Sequence, residues 1–180
     1  MEKSEIENLV KKAQKNCEKS FAQIFDFFFE KIFKYVDNRV EKSETEDLVS
    51  EIFLRVTRNL KKYFPKKNAG FSSWIFRIAH NAVIDFYRKK QEFFEFDDEN
   101  LVAIDENLSP NYFANKNFDT KKMQNLLQKL SPKYREILEL KFLENFSNLE
   151  VAKITGKSVG NVRITQMRAL KEMKKMWGIF

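Results

Sequence analysis

An acidic segment without helical periodicity, residues 92–120, constrains the fold of this 180-residue chain more than any other feature. It holds 1 Lys/Arg against 8 Asp/Glu, whereas residues 1–91 hold 19 against 13 and residues 121–180 hold 13 against 5. A structureless stretch of this length is uncommon inside one compact domain. The sequence therefore predicts two small domains, at residues 1–91 and 121–180, joined by a flexible acidic linker at residues 92–120.

Both flanking blocks have apolar residues at helical spacing and little turn punctuation, because the chain contains only 4 Gly and 3 Pro. These features favour long helices over short strands, and the predicted fold class is all-α. In the first block we expect four helices, at about residues 5–15, 20–40, 44–61 and 72–90. A capping box formed by Ser43 and Glu46 is expected to open the third helix.

The last block has the pattern of a helix-turn-helix. Ser131-Pro132 marks a helix start, with Pro at the first helical position. Ser147 and Glu150 form a second capping box before a short helix. Gly156 lies in the following turn, and Ser158 can cap a long basic helix that runs toward Trp177.

Composition excludes several classes of function. The only His and the only Cys, His80 and Cys17, have no neighbours of their own kind for a metal or catalytic cluster, so we expect no cofactor, no metal and no enzyme. No apolar run is long enough to cross a membrane and the N-terminus lacks a signal core, so we expect no membrane insertion and a cytoplasmic location. A net charge of +7 suggests a polyanionic partner.

Helical projection predicts two outward faces in the first block. The face of the third helix is polar with one exposed leucine, as a groove-binding partner helix would be, although an ordinary solvated face has the same pattern. Its members are Asp47, Ser50, Glu51, Leu54 and Arg58.

The face of the fourth helix surrounds an amide with cationic groups, which suits nucleic acid. Its members are Arg77, Asn81, Ile84 and Arg88, followed by Lys89 and Lys90. We expect His80 near this face, as a bystander.

The final helix is predicted to point Val162, Ala169 and Met173 inward. A recognition helix places its N-terminal residues against bases in the major groove, so the opposite face is a candidate DNA contact. Its members are Asn161, Ile164, Arg168, Lys171 and Lys175, with Arg163 and Met167 at the flank.

Three stretches of the chain together resemble the extracytoplasmic-function group of bacterial sigma factors. They are EDLVSEIFLRV at residues 46–56, FSSWIFRIAHNAVIDFYRKK at residues 71–90, and the segment from Leu130 to Leu170. The resemblance spans nearly the whole chain in the expected order, which is more specific than a single helix-turn-helix.

The resemblance implies a protein that binds core RNA polymerase through its clamp helices and flap, and promoter DNA. The third-helix face would bind the clamp helices, the fourth helix with the preceding loop would recognise and melt the minus-ten element, and the helix from Ser158 to Lys171 would bind the minus-thirty-five element. An anti-sigma protein is the expected regulator. Ser50 stands where the group usually has Gln. Gln166 stands where the group usually has Leu. Asn161, Ile164 and Thr165 also differ from the common residues, so no promoter sequence carries over.

Two other classes compete with this interpretation. The first is a one-component DNA-binding regulator with residues 1–91 as a sensor or dimerisation domain, which would have no need of the outward Asn81 face. The second is a nucleic-acid enzyme, which would require a cluster of carboxylates or histidines for acid–base or metal chemistry.

Overall fold

The computed structural model describes residues 1–66, 69–89 and 126–176. These residues form two compact helical units. The predicted linker at residues 92–120 and Lys90 lie outside the described residues, as do both predicted domain boundaries.

The first unit consists of four helices: α1 (Lys3–Gln14), α2 (Glu18–Asp37), α3 (Lys42–Leu60) and α4 (Phe71–Lys89). Each helix packs against the other three. The contacts of α1 with α3 and α4 are less extensive than its contact with α2. Its core is aliphatic and aromatic, with Phe28, Ile32, Ile52 and Ile75 almost completely buried. Each such side chain contributes about 1.5–3 kcal/mol by leaving water. The α2 side chains of Ile24, Phe28, Ile32 and Val36 are thus part of the core.

α1 holds the end of α3 and the beginning of α4. The Gln14 side-chain amide donates to the carbonyl oxygens of Leu60 and Tyr63, at 3.0 and 2.7 Å. The Glu7 carboxylate accepts the backbone N–H of Phe71 at 2.8 Å and the Tyr63 hydroxyl at 2.9 Å. The Leu60 carbonyl and the Phe71 N–H are groups that a helix end leaves without intrahelical partners. α1 therefore supplies caps for two helices from a distance.

Gly70 permits this close approach of α1. A Cβ atom at residue 70 would lie 2.8 Å from Lys3 Cε and 3.0 Å from Glu7 Oε1. A larger residue would require the Lys3 side chain to move and the Glu7 carboxylate that caps α4 to shift by a few tenths of an ångström.

The predicted capping box at Ser43 and Glu46 is wrong. α3 begins at Lys42, and the extended residue before it is Glu41, with φ −65° and ψ 146°. Ser43 is already helical, so its hydroxyl is not in the position that accepts the free amides. Thr45 instead bonds back into the first turn, from its hydroxyl to the Glu41 carbonyl at 3.3 Å.

The second unit contains α5 (Pro132–Leu138), a π-helical turn (Glu139–Leu143), α6 (Asn148–Thr155) and α7 (Val159–Met176). Residues 126–129 are helical as well. A buried apolar cluster joins this segment and α5 to α7. Its members are Leu127, Leu130, Leu138, Ala169, Leu170 and Met173. Arg135 stabilises the segment, because its guanidinium donates to the Leu127 and Leu130 carbonyls at 3.0 and 3.3 Å.

The caps and the turn of the helix-turn-helix form as predicted. Ser147 Oγ accepts the Glu150 N–H at 3.2 Å, and the Glu150 carboxylate accepts the Ser147 N–H at 3.0 Å. Gly156 ends α6 in the left-handed region, at φ +72°, which glycine adopts without strain. Ser158 Oγ accepts the Asn161 N–H at 3.1 Å at the start of α7.

Candidate functional site

The predicted outward face of the third helix, hereafter the α3 face, is exposed to solvent. Leu54 has 55% of its surface exposed, whereas Ile52 and Val56 beside it are completely buried. Asp47, Ser50 and Arg58 are exposed, and Glu51 is half-buried. Leu54 is therefore a surface residue surrounded by charged and polar groups, not a core residue.

Arg55 forms an ionic network with Glu51 of the α3 face and Asp85 of α4, which helical periodicity did not predict. Arg55 Nη2 lies 2.5 Å from Glu51 Oε1, and Arg55 Nη1 lies 2.8 Å from Asp85 Oδ2 on α4. The hydrogen bond to Asp85 raises the pKa of Arg55, with a further contribution from Glu51. Because the pairs are partly exposed, their net effect on stability is modest. Their geometric effect is to fix Glu51 and to link α3 with α4.

The outward face predicted on the fourth helix, hereafter the α4 face, is exposed at its polar positions. Arg77, Asn81, Arg88 and Lys89 are exposed, and Ile84 is half-buried between them. Asp85, beside this face, pairs with Arg55 of α3. The face combines an amide, which can donate and accept, with cations suited to phosphates.

The predicted position of His80 is wrong. His80 is only 7% exposed, and its Nδ1 lies 3.4 Å from the Tyr35 hydroxyl on α2. The helix rotates by about 100° per residue, so His80 turns toward α2 where Asn81 turns to solvent. His80 is a core residue of the first unit.

The loop before α4 combines an exposed aromatic side chain with fixed ends. Phe64 is 76% exposed, whereas Tyr63 beside it is buried and bonded to Glu7. Burial raises the pKa of the Tyr63 hydroxyl, and the hydrogen bond to Glu7 raises it further. Lys66 and Ala69 pair their backbone groups across the loop, at 3.0 and 3.2 Å. Phe64 therefore extends into solvent from an anchored loop.

The outward face of the final helix, hereafter the α7 face, is exposed at its N-terminal positions. Ser158, Asn161, Arg163 and Lys171 are exposed, and Ile164, Met167 and Arg168 are half-buried. Val162, Ala169 and Met173 are buried, as predicted.

Two polar residues of α7 lie behind this face. Thr165 is 4% exposed and Gln166 is 5% exposed. The Thr165 hydroxyl donates to Asn161 Oδ1 at 3.0 Å, a contact that joins a buried residue to an exposed one. Helical periodicity gave no sign of the Thr165–Asn161 bond.

Clusters for metal binding are absent from the part of the chain that the structure describes, where no three His, Cys, Asp or Glu side chains meet. None of the described helices is both long and apolar enough to cross a membrane.

Two family models match the chain. The model of sigma-70 region 2 matches residues 30–93, and the model of sigma-70 region 4 matches residues 120–173. The first match includes the α3 and α4 faces, and the second includes the helix-turn-helix. Both matches are in the order expected from the sequence resemblance.

Curated relatives align along most of the chain. The ECF RNA polymerase sigma factor BldN of Streptomyces coelicolor is 28% identical over 93% of this chain and 64% of its own length. The chain thus spans less than two thirds of that relative. The ECF RNA polymerase sigma factor SigW of Bacillus subtilis is 27% identical over 94% of this chain and 95% of its own length.

Solved structures share the fold. CnrH, in complex with the cytosolic domain of CnrY, aligns over 94% of both chains with a TM-score of 0.64 and 19% identity. The sigma factor RpoE of Bartonella quintana, in complex with the anti-sigma factor NepR, aligns over 89% of this chain and 98% of its own. Its TM-score is also 0.64, at 19% identity.

Proposed function

Because this chain belongs to the extracytoplasmic-function group of the sigma-70 family, we propose that it binds core RNA polymerase and directs it to specific promoters. The observation that carries the proposal is the presence, in one chain and in family order, of a region 2 unit and a region 4 helix-turn-helix unit. Members of this family are non-enzymatic initiation factors.

The α3 face is the proposed contact with the clamp helices of polymerase. Leu54 offers an apolar anchor of the kind that helix-in-groove contacts use. The charged groups around it would fix orientation and exclude wrong partners. Arg55, by bonding Glu51 from below, supports a fixed position for that carboxylate.

The α4 face and the Phe64 loop are the proposed contacts with the minus-ten element. The arginines and lysines would neutralise phosphates, and the Asn81 amide would bond a base edge. A base that leaves the stack requires an aromatic or apolar surface to replace its neighbours, and the exposed Phe64 offers one.

The α7 face is the proposed contact with the minus-thirty-five element. Its first exposed residues, from Ser158 to Arg163, would approach base edges in the major groove. Arg168 and Lys171 lie further along the helix, where they would hold phosphates and fix the position of the helix without carrying sequence information.

Regulation by an anti-sigma protein is part of the proposal. It rests on the likeness to CnrH and RpoE, whose structures contain CnrY and the anti-sigma factor NepR.

Reconstituted transcription tests the proposal. The chain would be combined with bacterial core RNA polymerase on genomic DNA, and the transcript starts would be mapped. We expect starts that appear only when the chain is added, preceded by two shared sequence elements. Starts identical to those of core polymerase alone would contradict the proposal.

A further inference from the structure

The Asn161 side chain on the α7 face is held from behind by a buried hydroxyl. Thr165, one turn later, donates from Oγ1 to Asn161 Oδ1 at 3.0 Å while only 4% of its own surface is exposed. The Asn161 backbone N–H is fixed separately, by Ser158 Oγ at 3.1 Å. The exposed side-chain amide is thus held by one hydrogen bond, and the backbone that carries it is fixed by another.

This contact decides which end of the amide meets a ligand. The oxygen and nitrogen of an amide extend in different directions from one planar carbon. When Oδ1 turns toward Thr165, Nδ2 remains on the solvent side, and it makes no hydrogen bond among the described residues. Because Nδ2 is a donor, Asn161 presents hydrogen-bond donors outward.

The bases differ in what they offer to such a donor. In the major groove guanine presents O6 and N7, thymine presents O4 and adenine presents N7, all of them acceptors, whereas cytosine presents only the donor of its exocyclic amino group. The usual pairing of Asn with adenine requires the amide oxygen to accept from N6, and here that oxygen is held by Thr165.

We propose that Thr165, acting through Asn161, makes one position of the upstream (minus-thirty-five) element select against cytosine, the base that offers no acceptor to the Asn161 donor. The inference rests on the proposed function, in which α7 lies in the major groove. Thr165 is a positioning residue, because its hydroxyl is too buried to touch DNA itself.

The test uses the chain reconstituted with core RNA polymerase and a promoter library randomised across the upstream element, with the selected promoters sequenced. The unchanged protein should prefer the three bases that offer an acceptor over cytosine at one position, by roughly tenfold. Thr165→Val keeps the shape and removes the hydroxyl, so this preference should be lost while preferences at other positions remain. Thr165→Ser keeps the hydroxyl and should keep the preference.

Variants of Asn161 complete the test without disturbing the core, because Asn161 is exposed. Asn161→Ala should lose the preference at the same position. Asn161→Asp presents only acceptors and should shift the preference toward cytosine or adenine, even if the added charge weakens binding to every promoter.

Two results would overturn the inference in distinguishable ways. If Asn161→Ala removes a base preference that Thr165→Val leaves intact, α7 contacts the upstream element but Thr165 does not orient the amide. If no α7 variant alters any upstream preference while transcription remains promoter-specific, the proposed role of α7 fails as well.

Discussion

Gln166 is the residue whose burial fits its chemistry least. It is 5% exposed, and its Nε2 has no hydrogen-bond acceptor among the described residues. A buried donor without a partner costs about 1–3 kcal/mol relative to a satisfied one. Leu, which the resemblance gives as usual at this position, has a similar volume and no polar group.

We expect Gln166→Leu to stabilise the second unit by about 1–2 kcal/mol, since the unsatisfied amide is removed. Urea denaturation followed by circular dichroism measures the change. Gln128→Leu, at an exposed position of the same unit, is the matched control and should change little. A loss of stability in Gln166→Leu would mean that the amide has a partner in solution.

Asn81 is an exposed amide among cationic side chains, and its proposed role in promoter opening can be tested by a single substitution. Extruding a base costs a few kcal/mol of pairing and stacking, which its contacts must recover. Asn81→Ala should therefore leave folding and polymerase binding intact and impair promoter opening. The impairment should be smallest on a template already mismatched across the minus-ten element, where that cost is already met.

Permanganate footprinting of unpaired thymines on duplex and pre-melted templates measures this effect. Asn59→Ala, at an exposed position of α3, is the control. Equal opening of the duplex by Asn81→Ala and the unchanged protein would remove Asn81 from the minus-ten contact.

Single residues were predictable where one helix alone decides exposure. The 100° rotation per residue placed Asn81 and Leu54 outward and Val162 inward, and the structure agrees. His80 was misplaced because its environment depends on Tyr35, which is 45 residues away. The Thr165–Asn161 bond depends on side-chain rotamers, which periodicity does not encode.

At the scale of elements, local signals predicted some helix ends and missed others. The Ser147–Glu150 box formed because both partners lie within one turn and the preceding chain is extended. The same pattern at Ser43 failed because the extended residue is Glu41, which moves the helix start by two positions. The caps from Glu7 and Gln14 join residues at least 46 positions apart, so no local sequence pattern could predict them.

The hydrogen bonds of the Glu7 carboxylate predict a measurable loss of stability when this side chain is removed. Glu7→Ala should destabilise the first unit by about 1–2 kcal/mol, because the Phe71 amide and the buried Tyr63 hydroxyl lose a charged acceptor. Asn8→Ala, at the next and exposed position, is the control for chemical denaturation. Equal midpoints for the two variants would show that water replaces the carboxylate without cost.

From the α3 face we predict that a single substitution can weaken polymerase binding without affecting folding. Leu54→Lys should weaken polymerase binding and leave helix content unchanged, since the side chain is 55% exposed. Asn59→Lys adds the same charge at an exposed position about 140° around the helix and should bind normally. Surface-immobilised core polymerase and circular dichroism provide the two measurements. If both variants bind equally well, the interface lies elsewhere on the unit.

At the scale of the whole molecule, the account depends on the division of charge between segments. Each terminal block has an excess of Lys and Arg, and residues 92–120 have an excess of Asp and Glu. Two small basic units can each make only a few phosphate contacts, and such binding weakens steeply with salt. On the proposed function, specific recognition therefore requires a scaffold that holds both units on one promoter.

The direct test of that claim compares the chain alone with the chain on core RNA polymerase, using fluorescent promoter DNA and a scrambled duplex over a range of salt concentrations. The account predicts weak binding by the isolated chain without preference for the promoter, with each phosphate contact adding about 0.9 to the slope of log K against log salt. With polymerase present, it predicts tight binding that discriminates the promoter from the scrambled duplex. Tight, promoter-specific binding by the isolated chain, unchanged by polymerase, would contradict the account and favour a one-component regulator.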